Sequence, residues 1–228
     1  ADIFGYHALQ IGLPQLSSLK ENRMPVHIIL RAPHDRPEEQ PDHWHTINGL
    51  PDELPFASQS IDLVILPHVL EFAEDPHAVL REVDRVLMPE GRVIITGFNP
   101  ASLWGLRQYW GRLMGLQPYL PREGQFMALL RIKDWLKLLN YSVDRGKFGC
   151  YRLPLRSAKG MEKMGFLEKA GDRWWPVLGA VFMISAVKRV SSLTLVGRID
   201  MAKAQTAPNF SPAARVGETR RTQEVETL

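Results

Sequence analysis

Apolar residues along this chain follow two rhythms: short unbroken runs, and stripes that recur every three or four positions. The clearest run, Ile61, Asp62, Leu63, Val64, Ile65 and Leu66, is apolar but for one acid. It predicts a strand buried on both faces, the habit of parallel sheets. Asp75 and Pro76 follow, an acceptor side chain at the N-cap and a proline at the first helical position, where its missing N–H costs nothing. The helix they open carries Val79, Leu80, Val83, Val86 and Leu87 on one side and Arg81, Glu82, Asp84 and Arg85 on the other. Pro89, Glu90 and Gly91 predict the turn that stops it, and the β-branched residues 92–98 predict the next strand. Strand, helix and strand within about 38 residues form a βαβ unit, whose crossover is almost always right-handed.

The same alternation extends to both sides. Residues 8–13 and 26–30 predict strands, with a short helix around Leu16 and Leu19 between them. Leu103, Leu106, Trp110 and Leu113 keep helical spacing, as do Ile132, Trp135, Leu136 and Leu139 before a left-handed end at Asn140. Residues 141–150 and 175–189, β-branched and aromatic, predict the closing strands. The expected fold is α/β, Rossmann-like and doubly wound, a mostly parallel sheet with helices on both faces. Beyond Val190 large apolar residues nearly vanish, too few to offset the entropy of ordering. Residues 1–190 are therefore expected to form the domain and residues 191–228 a disordered tail. Because residue 1 is not Met, the domain is expected to lack an N-terminal segment.

Composition narrows the compartment. A single cysteine, Cys150, cannot form an internal disulfide and points to a reducing, cytoplasmic setting. The longest apolar or small run, residues 177–187, falls well short of the roughly 20 residues that cross a bilayer, and the first ten residues lack the pattern of a secretory signal. The net charge of +3 conceals an asymmetry: residues 1–99 hold 7 basic against 15 acidic side chains, residues 100–190 hold 16 against 6. A basic second half predicts an acidic partner, unless the two regions interleave and cancel.

Residues 49–100 carry a family resemblance. LPFASQSIDLVIL (Leu54 to Leu66), PHVLEFAEDP (Pro67 to Pro76) and LREVDRVLMPEGRVIITGFNP (Leu80 to Pro100) are similar to the fourth strand, the following helix and the fifth strand of class I S-adenosylmethionine-dependent methyltransferases, of the type 11-like kind. The resemblance spans about a quarter of the chain. It implies a seven-stranded sheet with the last strand antiparallel, S-adenosylmethionine as cofactor and methyl transfer as the activity. Ligands of open α/β sheets sit beyond the carboxyl ends of the strands, where Pro67, His68, Phe98 and Asn99 stand. By the resemblance, Leu50 and Pro51 line the adenine. Gly12, followed by Leu13, is the surviving glycine of a degenerate glycine-rich loop, which Gln10 opens in place of the usual acid. Arg31 stands where the family has a ribose-gripping acid, and Leu50 where the adenine loop often has Asp.

Each remaining constellation has a functional and a bland reading. His68 is a candidate general base or substrate-orienting group and otherwise serves as a wall of the pocket. Glu71 is expected to be a solvated acid at a helix start. His43 and His45 flank Trp44 without further ligands, so no metal is expected. Trp104, Tyr109 and Trp110 lie among Arg107 and Arg112: a substrate lid, a helix lying on a membrane surface, or ordinary packing. The Trp174, Trp175 pair is expected in the core or at its rim. No Gly-x-Gly-x-x-Gly follows a strand, which argues against a nicotinamide dehydrogenase. Two readings remain: a methyltransferase acting on a small or lipid-like, acidic acceptor, with no specific nucleic-acid partner and room for peripheral membrane contact, and a methyltransferase-like scaffold that has lost catalysis.

Overall fold

A computed structural model describes residues 4–16, 18–33, 44–115, 124, 126–151, 173 and 175–190. The tail expected from residue 191 onward, His43 and Trp174 lie outside the described residues. All described elements belong to one compact unit, Ala1–Ser191.

Seven strands form one sheet: β1 (His7–Ile11), β2 (Val26–Arg31), β3 (Trp44–Asn48), β4 (Ile61–Pro67), β5 (Leu87–Phe98), β6 (Tyr141–Gly149) and β7 (Val181–Lys188). Their order is β3-β2-β1-β4-β5-β7-β6. The pairs among β1 to β5 are parallel, and β7 runs antiparallel to both β5 and β6. This is the doubly wound sheet with one reversed strand that the resemblance implies. The run at β4 is buried except Asp62. That acid has a purpose: its Oδ2 accepts the backbone N–H groups of Tyr6 at 2.9 Å and His7 at 3.0 Å, satisfying the entry to β1.

Helix α1 (Pro76–Val86) follows its sequence signals closely. Asp75 caps it through a 2.8 Å bond from the His77 N–H, and Val79, Leu80, Val83 and Val86 are buried. They join Leu9, Val64, Leu66, Val93, Ile95 and Phe182 in the main core, to which α3 (Leu129–Leu138) adds Ile132 and Leu136. Each such side chain contributes about 1.5–3 kcal/mol of burial. On the opposite face Ala8, Ile29, Trp44, Leu63 and Ile65 pack with Leu19 and Met24 of the β1–β2 connection. Asn140 adopts the left-handed conformation (φ 61°) expected at the end of α3.

Three expectations are corrected. The β1–β2 connection is a series of turns and not a helix. The Nε2 of buried Gln10 donates to the carbonyls of Gly12, Leu13 and Leu16, groups that a first helical turn would need as acceptors. Helix α1 stops at Val86, before Pro89, because β5 pairing begins at once with Leu87 opposite Ile61, and the turn at Glu90 (φ 61°) lies within the β5 span. Finally, Pro176–Leu178 is a single 3-10 turn preceding β7, and Trp175 beside it is exposed, outside the core.

Candidate active site

The chain leaves β1 toward β2 and β3 on one side and returns to β4 on the other, so the loops after these strands diverge and open a crevice. A cavity of about 460 Å³ fills it. Gly12 and Leu13 line it after β1, Ala32 after β2, Leu50, Pro51 and Asp52 after β3, and Pro67 and His68 at the end of β4; Phe72 and Asp75 close the side toward α1. Gly12 has φ 71°, and a Cβ there would stand 3.4 Å from the Val69 side chain. Glycine alone takes this backbone without strain, and it keeps the floor of the cavity clear.

The loop that carries Leu50 and Pro51 is clamped to α1. Arg85 donates to the carbonyls of Phe56 (2.8 Å) and Leu54 (2.9 Å), while the Glu82 carboxylate accepts the Leu54 N–H (3.1 Å) and pairs with Arg85 (2.9 Å). The guanidinium of Arg85, with the Leu54 N–H, holds the Glu82 carboxyl below its usual value of 4.5, against a smaller opposing effect of burial. A lowered folded pKa stabilises the fold above the unfolded value and loses that contribution as pH falls through the folded one. Glu82→Gln is therefore expected to cost about 1 kcal/mol at neutral pH, since both partners remain partly solvated. In urea titrations at successive pH values the difference from the parent should shrink as pH falls through the lowered folded value and vanish once the carboxyl is protonated in both states.

The wall of the cavity at the end of β4 holds a polar pair. His68 has a left-handed backbone (φ 54°), a conformation that costs a non-glycine residue roughly 1–2 kcal/mol and that concentrates at functional sites. Its Nδ1 lies 2.9 Å from Oε2 of Glu71, whose side chain is 3% exposed. The other oxygen, Oε1, accepts the backbone N–H of Phe98 at the end of β5. A carboxylate accepts, so this contact favours the tautomer with its proton on Nδ1 and the lone pair on Nε2. The Phe98 ring stacks on the imidazole with centroids 4.3 Å apart. Glu71 is thus no solvated helix-start acid. The signal was its spacing of three from His68 across a turn, but burial decided its role.

Of the candidate cofactor residues, Gly12, Leu13, Leu50, Pro51, Pro67 and His68 converge on this one cavity. Gln10 does not: its side chain is fully buried and organises the loop from behind, a task that the acid usual at this place, lacking a donor, could not perform. Arg31 does not line the cavity either. Its Nη2 lies 3.5 Å from Asn48 Oδ1 on β3, and Ala32 faces the cavity instead. Ala32, Asp52 and Phe72 had no distinguishing motif and enter only through tertiary placement. Asn99 is buried and serves as a strut, its Nδ2 donating to the carbonyls of Val177 (2.7 Å) and Gly179 (2.9 Å).

Comparison with known proteins agrees with this geometry. Residues 30–95 match the family described as methyltransferase domain. The uncharacterized protein YafS of Escherichia coli is 33% identical over 219 residues, covering 96% of this chain and 81% of that protein. A malonyl-[acyl-carrier protein] O-methyltransferase of Halorhodospira halophila is 40% identical, but over only 26% of this chain and 20% of its own length. Among solved structures, a Haloferax volcanii methyltransferase bound to its activator Trm112 aligns over 82% of this chain and 84% of its own with a TM-score of 0.59 at 16% identity. An S-adenosylmethionine-dependent methyltransferase of Thermotoga maritima aligns over 81% and 83% with a TM-score of 0.56 at 14% identity; at such identities these two speak for the fold. The chain belongs to one family with YafS, and the domain match, with the fold, makes it a class I S-adenosylmethionine-dependent methyltransferase.

Proposed function

We propose that the cavity at the ends of β1 and β4 holds S-adenosylmethionine, and that the methyl group passes to a small or lipid-like acceptor bearing an acidic hydroxyl. The observation that carries this reading is the buried Glu71 fixing the tautomer of a cavity-lining His68. The cavity fits the cofactor in kind: apolar Leu13, Leu50 and Pro51 suit an adenine, and the Asp52 carboxylate suits ribose hydroxyls or an ammonium group in place of the acid absent after β2. When bound, the cofactor supplies an electrophilic methyl on a sulfonium. Nε2 of His68 would take the acceptor hydroxyl's proton as the methyl passes from sulfur to oxygen and the sulfur departs as a neutral thioether, and Glu71 would stabilise the imidazolium that results. Alignment supplies the rest of the rate.

The acidic character of the acceptor draws only on the 16 basic against 6 acidic side chains of residues 100–190, none of which lines the cavity, whose acidic residues are Asp52, Glu74 and Asp75. The single cysteine supports a cytoplasmic setting. Calorimetric titration with S-adenosylmethionine tests the cofactor site. Binding is expected, and at a ligand concentration 100 times the dissociation constant it should stabilise the fold by about 2.7 kcal/mol in a melt. No heat at millimolar ligand and an unshifted melt would leave the scaffold reading in its place.

A further inference from the structure

Helix α2 (Leu103–Leu113) presents its apolar side outward. Leu103, Leu106, Trp110 and Leu113, at the spacing of one helical stripe, are 43%, 52%, 49% and 69% exposed, and the side turned to the protein is formed by Gln108 and Gly111. This reverses the usual order of a surface helix. The reversal is built in at the start of the helix. Ser102 Oγ donates to the Asn99 carbonyl (2.7 Å) and accepts the Gly105 N–H (3.1 Å), while Asn99 ties the same corner to the turn Pro176–Leu178. That turn exposes Trp175 and Val177 as well, so two segments joined by one buried asparagine share the display.

We infer that α2 and the turn Pro176–Leu178 dock this protein on the surface of an anionic lipid bilayer. Charge selects this occupant. Helix α2 contains Arg107 and Arg112 and no acid. Leucine, tryptophan and tyrosine on one side with arginine and no acid along the same helix match an element lying in the headgroup region, where each basic residue adds attraction to anionic lipid. A second copy of the chain on this face would set arginine against arginine across a two-fold contact. Among the described residues no helix is long and apolar enough to cross the membrane; the contact is peripheral. It does not depend on the nature of the methyl acceptor.

Cosedimentation of the full chain with vesicles, which needs no enzymatic activity, tests this. Vesicles of equal parts phosphatidylcholine and phosphatidylglycerol should bind about tenfold more protein than phosphatidylcholine alone, and the excess should fade in high salt. The double substitution Leu106→Glu with Trp110→Glu should abolish binding. Leu138→Glu, at a residue of α3 that is 80% exposed, should not. All three positions are exposed, and circular dichroism checks that each variant folds. The proposal is overturned by any of three results: no binding to the anionic vesicles at low salt, binding that the double variant retains, or a solution dimer dissolved by the double variant without vesicle binding.

Discussion

Replacing Glu71 by Gln is expected to lower kcat by about 10²–10⁴-fold while leaving S-adenosylmethionine affinity nearly unchanged. The substitution keeps the size of the side chain, and its amide oxygen can still accept the Phe98 N–H that Oε1 holds now. The amide nitrogen then faces Nδ1 of His68 as a donor. The imidazole must answer by accepting there, which moves its proton to Nε2 and removes the lone pair that a proton from the acceptor would enter. A merely structural role for Glu71 predicts something else: lost stability and weaker cofactor binding, with the chemical step unaffected in the fraction that folds. The two are told apart by measuring kcat and KM separately, with single-turnover rates, and by the ring signals of His68 in ¹⁵N NMR, which report the tautomer. His68→Asn, a residue that tolerates the left-handed backbone, should match the loss in kcat. If both variants turn over at the parental rate, His68 is a wall of the pocket and no base.

The largest effect on stability is expected from Phe182→Ala, about 3–5 kcal/mol in urea or thermal unfolding. Phe182 is 1% exposed and pairs across the sheet with Gly97. A Cβ at Gly97 would stand 2.6 Å from the Phe182 ring and 3.2 Å from Oε1 of Glu71. The missing side chain at Gly97 therefore makes room both for the ring that seals this part of the core and for the carboxylate that reaches the Phe98 N–H. Gly97→Ala should cost about 1–3 kcal/mol by overpacking. Because it also pushes on Glu71, it should lower kcat, which an ordinary core substitution of equal cost would not do. The double variant Gly97→Ala with Phe182→Ala should cost less than the sum of the singles, since the smaller residue at 182 vacates the space that the new methyl needs. Additive costs would mean that the two residues do not contend for one space.

Much of the frame was legible from local pattern. The βαβ unit of residues 61–98 could be read because its strands are unbroken apolar runs and its helix carries its own cap, proline and stripe. The left-handed end at Asn140 was legible for the same reason, since the backbone there is chosen by the residue itself. Reading failed where a distant group overrode the local preference. Leu16 and Leu19 have helical spacing, yet the amide of Gln10 takes the carbonyls that a helix would use. For α2 a substrate lid, a helix lying on a membrane surface and ordinary packing were all open; the Asn99 and Ser102 contacts turn its stripe to solvent, against ordinary packing.

What the sequence by itself determined is the parallel architecture and the place of the crevice, because periodicity fixes which elements form and the rule of strand ends fixes where a ligand can sit. Only the tertiary structure decided the chemistry within it. The bond of buried Glu71 to the Phe98 N–H, the clamp of Glu82 and Arg85 on the Leu50 loop, and the vacancy at Gly97 filled by Phe182 all join residues from different elements. No spacing along the chain encodes such contacts, which exist only once the sheet has brought its loops together.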